Sequence, residues 1–161
     1  MAEPVRVYVD TSVIGGTQDE EFQEPSQRFL DQARQGKFIL LVSALTLREL
    51  VEAPEAVRRA LTDLPRSCIE EVAPDAERAG AQLAQAYLFA GVLGPARLDD
   101  ATHVGIATAA GADLILSWNF QHIVNVARIA RFNRVNVGRG YREIDIRSPL
   151  EVIYGDESQD A

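Results

Sequence analysis

Residues 98–120 read LDDATHVGIATAAGADLILSWNF, and the fold follows from how this stretch divides. Ala101 to Ala110 is small and apolar nearly all round, the composition of a helix packed closely against a sheet. Asp113 to Ser117 then supplies a short apolar run, the form of a strand covered on both faces. A helix of this kind feeding such a strand is the repeating unit of an α/β fold with a parallel sheet.

The alternation continues in both directions. Val5 to Val9 predicts a first strand, and 15–24 a polar loop. A helix follows, with Pro25 suited to its first position, Gly36 placed just past its end, and Phe29, Leu30 and Ala33 on one face. Phe38 to Val42 is a second buried strand, and Ser43 is placed to cap a helix carrying Leu45, Leu47 and Leu50. Pro54 starts another helix. Ile69 to Val72 predicts a short strand, Asp75 to Ala90 a long helix, Asp99 a cap, Val124 to Asn136 a last helix, and Tyr141 to Ile146 an edge strand. There is no repeat, low-complexity segment or linker.

At 161 residues, one domain over 1–154 is the expectation, with 155–161 a flexible tail. Hydrophobic residues are 47% and charged residues 25%, ordinary globular composition. No apolar run approaches bilayer-spanning length and the N-terminus lacks the pattern of a signal peptide, so the expected location is cytoplasmic, without a membrane. The one cysteine, Cys68, has no internal partner and reads as a reduced, buried thiol. A net charge of −8 argues at first against nucleic acid as a ligand. Its distribution changes that reading: Arg128, Arg131, Arg134, Arg139, Arg142 and Arg147 face only Glu143 and Asp145 between Trp118 and Pro149, so an acidic body carries one basic end.

Parallel α/β sheets place ligands at the carboxyl ends of their strands, and several polar residues fall there. Asp10 directly follows the first strand, although an Asp so placed also caps turns. Glu49 lies in the helix after the second strand between leucines that face the core. It can lean toward a cleft or lie on a solvated face, where Glu52 is an equal candidate. Asp99 and Asp100 both stand at a helix N-terminus, where the macrodipole favours carboxylates. The capping role is assigned to Asp99 and the functional one to Asp100. Ser117 and Asn119 follow the fourth strand, where both also serve as turn groups.

Taken together, three strand-to-helix switches deliver a carboxylate and the fourth an amide. Oxygen donors with open positions suit Mg²⁺ or Mn²⁺. Such an ion orients and deprotonates a water, stabilises charge on a phosphate and assists departure of an alkoxide. Other chemistries lack their parts: there is no phosphate-loop lysine after Gly15 and Gly16, no paired cysteines, no HExxH and no GxSxG. His103 and His122 lack a nucleophile partner and read as packing or hydrogen-bonding histidines.

These residues resemble the PIN domain family, the bacterial VapC-like toxin ribonucleases, and within it a subgroup with SWN in place of the fourth acid. The resemblance rests on VDTSVIGG at 9–16, LTLREL at 45–50, the 98–120 stretch and QHIVN at 121–125. It extends to RIARFNRVNVGRGYREIDIRSPLEVI at 128–153, and so covers nearly the whole chain. It implies a three-layer α/β/α fold with a parallel five-stranded sheet and a metal held by clustered acids. Position by position, Asp10, Glu49 and Asp100 match the first three acids, and Asn119 stands where the wider family often has Asp. Ser117 matches a small hydroxyl residue two places earlier, with Thr11 and Ser12 supporting. Losing one negative charge at 119 favours one-ion chemistry, and Asn can still orient a water or accept a metal contact.

The resemblance further implies an RNA substrate, a cognate antitoxin protein from a neighbouring gene, and compatibility with a homodimer. Arg128, Arg131 and Arg134 recur at helical spacing with Arg139 after them, a stripe suited to phosphates, to an acidic partner, or to solvation alone. Two alternatives compete with the nuclease. One is a non-catalytic PIN-fold module that binds protein or RNA, favoured by Asn119 and the acidic charge. The other is a haloacid-dehalogenase-type phosphotransferase, which needs a second Asp where Ser12 stands.

Overall fold

A computed structural model describes residues 3–155. Its strands are β1 (Val5–Val9), β2 (Phe38–Val42), β3 (Ile69–Glu71), β4 (Leu114–Leu116) and β5 (Asp145–Arg147). Its α-helices are α1 (Thr11–Gly15), α2 (Gln23–Arg34), α3 (Ala44–Val51), α4 (Glu55–Thr62), α5 (Pro74–Phe89), α6 (Leu98–Ala109) and α7 (Val126–Gly138). All strand pairs are parallel, in the order β3-β2-β1-β4-β5. The expected parallel five-stranded sheet is therefore present, with the Val5–Val9 strand at its centre. Apart from exposed Gly155, the expected tail lies outside the described residues.

The period of two along β1 separates the layers. Val7 and Val9 enter a core with Val13, Phe29, Leu30, Val57 and Leu61 from α1, α2 and α4, whereas Tyr8 enters the opposite core with Leu83, Tyr87, Val104 and Phe132 from the last three helices. Both faces are thus covered, which is why the central strands read as unbroken apolar runs. Each fully buried large side chain contributes about 1.5–3 kcal/mol.

The contact of α5 with α6 is unusually close. A Cβ on Gly105 would sit 2.3 Å from the Gly80 carbonyl oxygen, and one on Gly80 would sit 2.5 Å from the Ile106 Cα. The small-residue character of α6 is the requirement of this crossing.

Several local expectations differ. The segment expected as a polar loop is helical at both ends, through α1, a 3-10 turn at Gly16–Gln18 and the start of α2. Buried Thr17 and Gly16 hold the turn inward, and Thr17 satisfies its own hydroxyl on the Ile14 carbonyl. Pro25 is the third residue of α2 rather than the first, still inside the turn where a missing N–H costs nothing. Leu47 is 45% exposed, so of the α3 leucines only Leu45 and Leu50 are buried. Asp99 makes no capping hydrogen bond, because a 3-10 turn at Pro95–Arg97 leads directly into α6. Ser43 caps α3 as expected, accepting the Thr46 N–H. Cys68 is buried and donates to the Ala33 carbonyl over 3.1 Å. Among the described residues, no helix is long and apolar enough to cross a membrane.

Candidate active site

The sheet register builds the site. Val9 pairs with Leu116, so the next residues, Asp10 and Ser117, emerge side by side at the carboxyl end of the two central strands. Ser117 Oγ donates to Asp10 Oδ2 over 2.7 Å, and Ser12 Oγ donates to the same oxygen over 2.8 Å. A hydroxyl has one proton to give. Ser12 also accepts the Trp118 N–H and Ser117 the Asn119 N–H, each over 2.9 Å, which leaves both protons for the carboxylate. One oxygen of Asp10 is saturated and Oδ1 lies 3.4 Å from His103 Nε2, in a residue only 6% exposed.

Glu49 reaches the same point from α3. Thr11 Oγ1 donates to its Oε1 over 2.6 Å, and His103 Nε2 lies 2.7 Å from that oxygen and 3.4 Å from Asp10 Oδ1. Glu49 thus leans into the cleft while Glu52 stays exposed. Asp10, Glu49 and His103 each offer one donor atom, all within 4.8 Å of one another. Two carboxylate oxygens and an imidazole nitrogen fit a divalent ion by type and by spacing.

The electrostatics agree. Burial opposes the charge on His103, but the hydrogen bond to Glu49 and the charges of Asp10, Glu49 and Asp100 outweigh it and raise the imidazole above its ordinary value. Burial likewise opposes ionisation of Glu49, yet bonds from His103 and Thr11 hold its carboxyl below the usual range. Both shifts describe one charge-assisted pair. Asp100 is pushed the other way, first by burial and then by the Asp10 charge, with His122, His103 and Asn119 offsetting in part. A carboxyl held up by a neighbouring carboxylate marks a place where a cation would relieve repulsion.

Asp100 stands in the first turn of α6, beside the three-donor cluster, and its Oδ2 lies 3.7 Å from His122 Nδ1. Asn119 Oδ1 accepts the His122 N–H over 2.9 Å. The Asn119 side chain therefore anchors the loop that brings His122 against Asp100. Trp118 braces this loop from beneath, stacked on Phe22 at 4.2 Å and donating its indole N–H to Ser26 over 2.8 Å.

The arginines lie apart from the cluster. Arg128 donates to the Gln121 and Val92 carbonyls and Arg131 to that of Gly91, so α7 ties down the turn after α5. Arg134 and Arg139 are exposed and make no side-chain hydrogen bond or ion pair among the described residues.

His103 is the residue that motif reading underrates. It is 1% exposed and fully hydrogen-bonded, as a packing histidine would be, but its ring nitrogen points at two acids. The available signal was its spacing of three from Asp100, which puts both on one helical face.

No protein-family profile matches the sequence, and no curated protein sequence is recognisably similar. Solved structures are similar in shape. One is a DNA-bound VapBC from Salmonella typhimurium, 16% identical, with a TM-score of 0.53 over 90% of this chain and 98% of the matched chain. Another is VapBC2 from Rickettsia felis bound to a DNA fragment from their promoter, 13% identical, with a TM-score of 0.54 over 89% and 98%. At such identities the likeness speaks for architecture alone, and with the sheet order and layering above it shows a PIN-like α/β/α fold.

Proposed function

We propose that this chain is a metal-dependent endoribonuclease that hydrolyses RNA phosphodiester bonds and acts as the toxin of a toxin–antitoxin pair. The observation that carries the reading is the cluster of Asp10, Glu49 and His103, with donor atoms within 4.8 Å of one another, one Asp10 oxygen taken by Ser12 and Ser117, and Asp100 close enough to feel the Asp10 charge. The toxin role is supported by the likeness to chains found in VapBC complexes. The partner would be an antitoxin protein.

Asp10, Glu49 and Asp100 would hold Mg²⁺ or Mn²⁺, which when bound supplies Lewis acidity for the phosphate and a more acidic water. The residues themselves do the positioning. Ser12, Ser117 and Thr11 fix the carboxylate orientations, so the donors are arranged before substrate arrives. Asn119 holds the loop beside Asp100, and its amide can orient a water. Arg134 and Arg139 are the arginines open to RNA phosphates.

The test is incubation of purified protein with total RNA in Mg²⁺, Mn²⁺ or chelator, beside an Asp10→Asn variant prepared identically. Metal-dependent cleavage lost in the variant supports the nuclease. Absence of cleavage by folded, antitoxin-free protein overturns it and favours the non-catalytic binding module.

A further inference from the structure

A chain of hydrogen bonds runs from His103 through Tyr8 and Ser43 to Thr46 in α3. Thr46 Oγ1 lies 3.5 Å from the Val9 carbonyl oxygen, which can only accept, so the Thr46 hydroxyl proton points there. Ser43 Oγ then donates to Thr46 Oγ1 over 3.2 Å, while accepting the Thr46 N–H over 3.1 Å. With the Ser43 proton directed at Thr46, the Tyr8 hydroxyl 2.7 Å away is the donor to Ser43. The Tyr8 oxygen is left as an acceptor, 2.6 Å from His103 Nδ1. In this arrangement Nδ1 carries a proton and donates it to Tyr8.

A histidine whose Nδ1–H is held by a neighbouring group presents Nε2 as its ligand atom, the usual arrangement behind a metal-binding imidazole. Here Nε2 points at Glu49 Oε1 and Asp10 Oδ1, and a bound ion would take the place of the proton shared with Glu49, which is released to solvent. We propose that His103 is a nitrogen ligand of the metal, set in its binding tautomer by Tyr8, Ser43 and Thr46, and that the site consequently selects Mn²⁺ over Mg²⁺. This rests on the metal-dependent reading above and names its ion. Imidazole suits transition ions, whereas Mg²⁺ takes oxygen donors and keeps its waters. A purely carboxylate site gives no such preference for nitrogen-accepting ions.

Tyr8 is in this account a positioning residue. It is fully buried, and its hydroxyl lies between Ser43 at 2.7 Å and His103 at 2.6 Å.

The test uses the full chain freed of metal, titrated calorimetrically with MnCl₂ and with MgCl₂, together with pulsed EPR of the Mn²⁺-loaded wild type to read nitrogen-14 coupling. Far-UV circular dichroism checks that each variant is folded. The expected results are Mn²⁺ binding at least about 10-fold tighter than Mg²⁺ and a nitrogen coupling that His103→Gln removes. Tyr8→Phe is expected to weaken Mn²⁺ by about 10-fold, as loss of an outer-shell partner does, and to leave Mg²⁺ affinity nearly unchanged. Coupling that persists in His103→Gln, or Mn²⁺ binding that Asp10→Asn abolishes but that shows no coupling in the wild type, overturns the inference and leaves the nuclease reading standing. No binding of either ion by the wild type overturns both. The wild-type EPR measurement decides the ligand even if a variant does not fold.

Discussion

Ser117 Oγ and Asp10 Oδ2 are 2.7 Å apart, and the serine proton has nowhere else to go because its oxygen already receives the Asn119 N–H. Replacing Ser117 by Ala removes a buried, charge-assisted bond and leaves that backbone N–H without its acceptor. The expected cost is about 1.5–3 kcal/mol, read as a lower urea midpoint. RNA cleavage should fall by about 10-fold or more, because the outer contact that orients a ligand is lost. Unchanged cleavage would show that Asp10 is positioned by the backbone alone.

Asp100 is a carboxyl whose ionised form the fold disfavours, through burial and then through Asp10. A raised carboxyl destabilises the folded state at pH above its unfolded value of about 3.9. Asp100→Asn should therefore make the chelator-treated protein more stable at pH 7, with the gain disappearing as the pH falls toward 4. The same variant should bind Mn²⁺ more weakly and cleave less. A variant that loses both stability and activity would mean Asp100 is held for structure.

The His103 and Glu49 pair sets opposite limits. His103 is raised, so its contribution is complete below the unfolded histidine value of about 6.5 and is lost as pH rises through the higher folded value. Glu49 is lowered, so its contribution is complete above its unfolded value of about 4.3 and is lost as pH falls through the lower folded value. In chelator, the stability margin of wild type over His103→Gln should be widest between these two unfolded values and should shrink in alkali. Chemical denaturation at pH 5.5 and at pH 9 measures it, and an equal margin at both would rule out the ionised pair.

The four arginines should separate into two behaviours. Arg128 and Arg131 bond to carbonyls of the turn at Gly91 and Val92, and Ala at either should cost about 1 kcal/mol, lowering the melting temperature by about 2–4 °C. Arg134 and Arg139 carry no such bonds. Ala there should leave the melting temperature alone and, if RNA lies along α7, reduce the log–log salt slope of RNA binding by about 0.7 each. Equal RNA-binding losses at all four positions would contradict this division.

What could be read from the chain and what could not divides along a physical line. Runs such as Phe38 to Val42 are apolar because both sheet faces are covered, so a local pattern declares a global position. Asp10 was visible for the same reason, since strand ends are where parallel sheets expose polar groups. The 15–24 segment misled because its polar residues line one side of short helical turns held by buried Gly16 and Thr17. Asp99 was expected to cap α6, but the preceding 3-10 turn removes the need. His103 stayed hidden because an imidazole inside a small apolar helix looks like packing until Tyr8 and Glu49 arrive from other elements. Its role depends on three segments meeting, which no window along the chain contains.

The contact between Gly80 and Gly105 has a bearing on how freely this protein can change. Gly105→Ala should cost about 1–3 kcal/mol or more, since the new methyl meets a backbone carbonyl that cannot rotate away. Because α6 carries both Asp100 and His103, any shift there moves two site groups as one body. With no side chain at either glycine, backbone approaches backbone, and the separation of α5 and α6 is set there chiefly by main-chain contact. The neighbouring core can therefore drift through many apolar substitutions without altering the alignment of the site, while two codons that specify no chemistry at all remain the ones it cannot alter.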